Sequence, residues 1–160
     1  MKQEIIVTRI FDAPVEAVWK CWTEPEFLMQ WWGPDRFTSP KADINFQENK
    51  FSVVCMRAPV EFGGQDFYNV WLFKKIVPYE RIEYIQNLSD ENGNLIDPVT
   101  MNLPSDFPKD TETTVTFKNL GKDKTEITFR EVSDFGQMFE QAKMGLGQCL
   151  GKMQAIFSEE

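Results

Sequence analysis

Acid–base chemistry in this chain depends on carboxyl, phenol and thiol groups, because its sequence contains no histidine. That absence removes serine–histidine and cysteine–histidine nucleophilic pairs, histidine metal ligands and the usual general base. The candidates for a general acid or base are Glu61, Asp66, Tyr68, Tyr84 and Glu131. Their spacing singles out no pair, so an enzyme would be recognised by a buried carboxyl group with a raised pKa.

The three cysteines, Cys21, Cys55 and Cys149, are odd in number and widely spaced. They match neither a disulfide framework nor a zinc motif, and we interpret them as reduced core thiols of a cytoplasmic protein. We therefore expect no metal and no cofactor.

The charge and hydropathy of the chain limit its partners. A net charge of −8 argues against nucleic acid and anionic membrane surfaces, since both bind basic proteins. No apolar run is long enough for membrane insertion, and the first residues do not resemble a signal peptide. An apolar small molecule or another protein remains as the partner, and edge strands around residues 41–57 suggest a homodimer.

The length of 160 residues predicts a single domain that spans residues 1–160. Aromatic residues make up 14% of the chain, with 14 phenylalanines and 5 tryptophans. This content is typical either of a bulky core or of a cavity with aromatic walls.

The N-terminal part of the sequence contains signals for one strand and two short helices. Residues 4–11 are rich in β-branched side chains and predict a strand, and a helix with an apolar face follows Pro14. Residues 23–26 (TEPE) match a capping box, which places a second helix at about residues 24–32. Gly33 fits the end of that helix, where a proline follows.

The remainder predicts an antiparallel sheet and a long C-terminal helix. The helix is expected over residues 134–157, capped by Ser133 or Asp134, with three glycines inside it. Hairpin-like spacing of the strands and this helix indicate an α+β fold. The residues between 89 and 110 form a long loop of the kind that is often functional. The predicted strands are residues 41–46, 51–56, 66–77, 81–88, 111–117 and 125–132.

The sequence resembles the START-like superfamily, in the branch named for the activator of the heat-shock-protein-ninety ATPase. The resemblance rests on RIFDAPVEAVWKCWTEPEFLMQWWGPDRF, on IVPYERIEY and on KTEITFREV before a glycine-containing helix. It differs where the final helix of the family carries Gly-Trp; here Gly145-Leu146 or Gly147-Gln148 stands there.

The resemblance implies a helix-grip fold, in which a curved antiparallel sheet wraps around a long C-terminal helix and often encloses an apolar cavity. It implies a protein that binds a small hydrophobic molecule such as a lipid. The alternatives are a module that activates a chaperone ATPase and an enzyme similar to polyketide cyclases or dehydratases. The fold alone does not choose among them.

Alternation along the predicted strands and helical spacing in the last helix select a set of candidate ligand-binding residues. Apart from Trp32, which would lean over the cavity mouth from the end of the second helix, they share the faces that would point towards a cavity between sheet and helix. They are Trp32, Phe67, Asn69, Trp71, Tyr84, Gln86, Phe117, Phe129, Met138, Ala142, Gly145 and Cys149.

Two adjacent tryptophans end the second predicted helix. Trp31 stands at core spacing from Phe27 and Leu28, so it should anchor the helix to the sheet. Trp32 points about 100° away from that direction. It either gates the cavity or holds the corner between helix and strand.

Overall fold

A computed structural model describes residues 1–158 of the chain. Three short 3₁₀ turns, Val60–Phe62, Pro98–Met101 and Gly136–Met138, interrupt the connections. The strands and helices are β1 (Gln3–Phe11), α1 (Val15–Thr23), α2 (Pro25–Trp31), β2 (Ala42–Asp43), β3 (Phe51–Arg57), β4 (Asp66–Val77), β5 (Arg81–Ser89), β6 (Thr111–Gly121), β7 (Lys124–Ser133) and α3 (Phe139–Ile156).

The seven strands form one antiparallel sheet in the order β1-β7-β6-β5-β4-β3-β2. Strands β2 to β7 follow one another through hairpin connections, whereas the first strand pairs with the last. Helices α1 and α2 lie between β1 and β2 in the sequence, and α3 packs against both α2 and β1. The predicted α+β class, with a long C-terminal helix held by a curved antiparallel sheet, is confirmed.

The core lies between the inner face of the sheet and the helices. Trp71 on β4 and Tyr84 on β5 are almost fully buried, with ring centroids 4.8 Å apart. Trp22 on α1 packs edge-on against Phe117 at 5.5 Å. Helix α3 contributes Leu146, Cys149, Leu150 and Met153. The high aromatic content therefore supplies much of a bulky core.

The expected capping box at residues 23–26 is not formed. Thr23 is the last residue of α1, so its backbone remains helical and Glu24 takes the N-cap position of α2. Pro25 occupies the first helical position, where a missing amide hydrogen is tolerated. Gly33, with φ of +104°, follows α2 as predicted, because glycine adopts this conformation at no steric cost.

The expected start of the C-terminal helix at residue 134 is also wrong. Helix α3 begins at Phe139, and Met138 is its N-cap without a side-chain hydrogen bond. The carboxylate of Asp134 instead accepts from the amide of Gly136 at 3.2 Å, which fixes a tight turn before the helix. Gly136 has φ of +52°, a left-handed conformation that an α-helix cannot include.

The predicted strand at residues 41–46 is mostly irregular. Only Ala42 and Asp43 pair with β3, and the amide of Asn45 is bonded to the hydroxyl of Ser52 at 2.9 Å. The hairpin of β6 and β7 is longer than predicted, because Lys122 and Asp123 take left-handed conformations and make a tight turn.

Candidate functional site

A cavity of about 390 Å³ lies between the inner face of the sheet and α3. Most of its walls are aliphatic or aromatic, with a few amide and carboxyl groups among them. The lining residues are Trp32, Pro34, Phe37, Met56, Phe67, Asn69, Gln86, Asn87, Leu88, Leu103, Phe107, Pro108, Thr111, Phe129, Glu131, Phe135, Met138, Gln141, Ala142, Gly145, Leu146 and Cys149.

Glycine at position 145 leaves part of this space open. A Cβ atom built on Gly145 would meet only the Cβ of Pro34, at 3.9 Å, which is an ordinary van der Waals separation. Any larger side chain at this position of α3 would extend into the cavity, because Gly145 is one of the lining residues. The glycine weakens the helix by about 1 kcal/mol relative to alanine.

The long connection between β5 and β6 covers one side of the cavity with Leu103, Phe107 and Pro108. The last two residues of this connection, Lys109 and Asp110, are hydrogen-bonded to the rest of the protein. The side-chain amide of Asn87 donates to Asp110 at 3.0 Å, and the backbone amide of Asp110 donates back to Asn87 at 2.7 Å. The hydroxyl of Ser133 donates to the carbonyl of Lys109 at 3.1 Å.

The segment that follows α2 is held against α3 by polar contacts. The Lys152 ammonium donates to the carbonyl oxygens of Pro34 and Phe37, at 3.3 and 3.2 Å. The side chain of Gln148 accepts from the amide of Asp35 at 3.0 Å. These bonds fix the edge of the cavity to which Pro34 and Phe37 belong. Half-burial of Lys152 lowers its pKa.

The paired tryptophans have different partners. The indole nitrogen of Trp31 donates to the carbonyl of Cys21 at 2.9 Å. That carbonyl lies four residues before Pro25, which has no amide hydrogen to offer it, so Trp31 supplies the missing donor. Trp32 lines the cavity and packs edge-on against Trp71 at 5.2 Å. Its indole nitrogen is buried and has no hydrogen-bond partner within residues 1–158.

Replacing either Trp31 or Trp32 by phenylalanine removes buried ring volume and should destabilise the protein. The loss at Trp31 should be larger by about 1–2 kcal/mol, because only that replacement orphans the Cys21 carbonyl. Chemical denaturation of both variants measures the difference. Equal losses would contradict this assignment of roles.

Glu131 is the predicted acid–base candidate that lies on the cavity. Desolvation raises the pKa of its carboxyl group to about 7. The residue is partly exposed and forms part of the cavity wall. Within residues 1–158, its carboxylate makes no ion pair and no side-chain hydrogen bond, and burial is the sole cause of its pKa shift.

The neighbours of Glu131 across the sheet are Ile5, Thr113 and Tyr84. Glu131 pairs with Ile5 on β1 and with Thr113 on β6, and Thr113 in turn pairs with Tyr84 on β5. The hydroxyl of Thr113 is buried, again with no partner in the described part of the chain. Burial raises the pKa of Tyr84, so its phenol remains neutral. No cation of this row compensates Glu131.

The other acid–base candidates lie elsewhere. Glu61 is exposed and forms an ion pair with Arg36. Asp66 is paired with Arg57 at 2.7 Å, which lowers the pKa of its carboxyl group. Tyr68 lies on the opposite face of β4 from the lining residues Phe67 and Asn69. Among residues 1–158, the cavity therefore contains no pair of carboxylates.

The three cysteines are free and buried, as expected of core thiols. Cys149 lines the cavity, but burial raises the pKa of its thiol to about 12. It is therefore a thiol and not a nucleophilic thiolate at neutral pH. In the part of the chain that the structure covers, no cluster of three or more residues is suited to hold a metal ion. No helix there is long and apolar enough to cross a membrane.

The structure brings nine of the twelve candidate ligand-binding residues together around the cavity and places three outside it. Trp71, Tyr84 and Phe117 belong to the solid core, where their rings pack against other aromatic side chains. Trp71 also donates to Gln86 at 2.7 Å and so orients that cavity amide. The nine are Trp32, Phe67, Asn69, Gln86, Phe129, Met138, Ala142, Gly145 and Cys149.

Sequence patterns missed the cavity residues that come from irregular segments. Pro34 and Phe37 follow α2, and Leu103, Phe107 and Pro108 come from the long connection. Such segments have no periodicity that would assign a side chain to a face. The available signal was the length of the connection, together with its apolar residues.

The antiparallel sheet that holds a long C-terminal helix, with an apolar cavity between them, is the helix-grip arrangement of START-like proteins. The chain belongs to the family described as "Activator of Hsp90 ATPase homolog 1-like protein", whose model matches residues 12–158. A comparison with curated proteins finds no match.

Solved structures show the same fold at low sequence identity. A protein from Chromobacterium violaceum has a TM-score of 0.77 and 21% identity, with 98% of each chain covered. A protein from Arthrobacter aurescens has a TM-score of 0.75 and 24% identity, covering 98% of this chain and 87% of that one. The AHSA1 protein of Silicibacter pomeroyi has a TM-score of 0.72 and 16% identity over 96% of each chain. These likenesses establish the fold alone.

Proposed function

We propose that this protein binds a small, predominantly apolar molecule in the cavity between the sheet and α3. The observation that carries the proposal is the cavity itself, which measures about 390 Å³. This volume lies within the usual range for small-molecule sites, which are mostly apolar with a few polar groups. Among the walls, Asn69, Gln86 and Glu131 supply such groups.

The raised pKa of Glu131 is the sign that we expected of a catalytic acid, but within residues 1–158 no second carboxyl group lines the cavity, and this favours binding over catalysis. The cavity places one carboxyl group, Glu131, beside a neutral thiol, Cys149. Within residues 1–158, the cavity therefore lacks the pair of carboxylates that such acid–base catalysis would use. The space beside Gly145 and the connection that covers the cavity also agree with a binding site.

Native mass spectrometry of the freshly purified protein, compared with its denatured mass, tests the proposal. A retained ligand appears as extra mass that is lost on denaturation. If the natural ligand is lost during purification, a fluorescence titration with N-phenyl-1-naphthylamine, a neutral apolar probe, tests whether the empty cavity binds an apolar molecule. Saturable binding of this probe is expected. The bare chain mass together with no saturable binding would overturn the proposal.

Activation of a chaperone ATPase is the second candidate, and the description of the matching family supports it. Such a function would use the protein surface and would not need the cavity. A variant whose cavity is filled, Gly145→Leu, separates the two candidates. Stimulation of an Hsp90-type ATPase by this variant and by the unmodified protein to the same extent would favour the second.

A further inference from the structure

The charge of the cavity wall restricts the kind of ligand that the site accepts. Of the lining residues within 1–158, Glu131 is the one with a formal charge, and neither lysine nor arginine lines the cavity. The nearby Lys152 ammonium is directed to the carbonyl oxygens of Pro34 and Phe37. A ligand with a carboxylate or phosphate would therefore bring an anion beside Glu131 without a compensating cation.

The partly buried carboxyl group of Glu131 has no ion-pair or side-chain hydrogen-bond partner within residues 1–158. Its cross-strand neighbours are Ile5 and Thr113, which have no charge. Within the described residues no cation contributes to its pKa, and desolvation alone acts on it. Buried carboxylates are normally paired, since an isolated one is strongly disfavoured in an apolar surrounding.

We infer that the ligand is an amphipathic amine, whose ammonium group pairs with Glu131 and whose apolar body fills the cavity. This inference rests on the proposed binding function. The ammonium would donate a charge-assisted hydrogen bond to the carboxylate. Phe129, two residues before Glu131 on the same face of β7, and Phe135 add aromatic rings that attract cations.

Two other polar groups of the cavity, Asn69 and Gln86, do not replace this contact. Asn69 lies on β4, which is three strands away from β7 in the sheet. Adjacent strands are about 4.8 Å apart, so Asn69 and Glu131 cannot contact the same small polar group. Gln86 already accepts from Trp71 through its side-chain oxygen. Glu131 is thus the anchor for the charged end of the ligand.

Three probes that differ only in their polar end test the inference: 4-phenylbutylamine, 4-phenylbutan-1-ol and 4-phenylbutanoate. Their affinities are measured at pH 7.5 by displacement of N-phenyl-1-naphthylamine and by calorimetry. We expect the amine to bind at least about tenfold more tightly than the alcohol, as one charge-assisted hydrogen bond would provide. The carboxylate probe should bind most weakly.

The Glu131→Gln variant should lose this discrimination, so that amine and alcohol bind within about threefold of each other. Glu126→Gln is the matched control, because Glu126 lies on the opposite face of the same strand. It should keep the preference of the unmodified protein. Circular dichroism of both variants checks that the fold is retained.

The possible failures are distinguishable. Equal binding of amine and alcohol to the unmodified protein, or a preference that survives in Glu131→Gln, would overturn the amine inference. Saturable binding of N-phenyl-1-naphthylamine in that case would leave the proposed apolar site standing. Absence of binding by all four compounds would overturn both the inference and the proposed function.

Discussion

Replacing Gly145 by leucine is expected to weaken binding of N-phenyl-1-naphthylamine by more than about tenfold while stabilising the protein. Gly145 lines the cavity, and the space beside it is open apart from Pro34. The leucine side chain would occupy space that the probe needs. It would also remove the helical penalty of glycine and bury apolar surface, which together stabilise by about 1–2 kcal/mol.

Gly151→Leu is the matched control for this experiment. Gly151 lies in the same helix, is exposed and has no atom within 4 Å of a built Cβ. The substitution should give a similar gain in helix propensity and leave probe binding unchanged. Fluorescence titration and chemical denaturation measure the two quantities on both variants. Equal probe affinity in the two variants would show that the probe does not occupy the cavity next to α3.

Replacing Glu131 by glutamine is expected to stabilise the protein by about 2–3 kcal/mol at pH 8 and by little at pH 4. The pKa of this carboxyl group is raised from 4.5 to about 7 in the folded protein. Below pH 4.5 the group is protonated in both states and has no effect. Above pH 7 it is ionised in both states, and the folded protein bears the full desolvation penalty.

The sign follows from proton binding. Between pH 4.5 and 7 the folded state binds the proton of Glu131 and the unfolded state has released it. Stability therefore decreases as pH rises through this interval. Glutamine has similar size and no charge, so it removes that decrease. The penalty is smaller than full burial would give, because Glu131 is partly exposed in the cavity.

Urea denaturation at several pH values between 4 and 8 measures this dependence. The Glu126→Gln control should follow the unmodified protein, since Glu126 points away from the cavity. If Glu131→Gln and the unmodified protein show the same pH dependence, then the carboxyl group is paired or solvated in solution. That outcome would also remove the reason to assign an ammonium partner to it.

Local sequence patterns predicted most of the strands because each pattern has a direct physical cause. The strand at 66–77 has the same bounds in the structure, where alternation puts Trp71 and Phe73 inside and Leu72 outside. The residue Gly33 ends α2, as expected of a glycine before proline. These features depend on neighbours within a few residues, and the sequence shows such neighbours directly.

Predictions failed where a local signal competed with another contact. Residues 23–26 match a capping box, but α1 continues through Thr23 and the box is not formed. Asp134 was expected to cap the last helix, yet it accepts from Gly136 in a turn before that helix. In both places the local pattern was compatible with more than one backbone path, and packing selected the path.

The sequence by itself determined the α+β fold, its START-like family and the apolar faces that point to α3. Only the tertiary structure decided where those faces meet a solid core and where they leave a cavity. Trp71, Tyr84 and Phe117 share faces with cavity residues, but the shape of the sheet brings them against other aromatic rings. The sequence also did not show that the Glu131 carboxyl group lacks a partner. Whether a side chain has a partner depends on all the elements packed around it and not only on its neighbours in sequence.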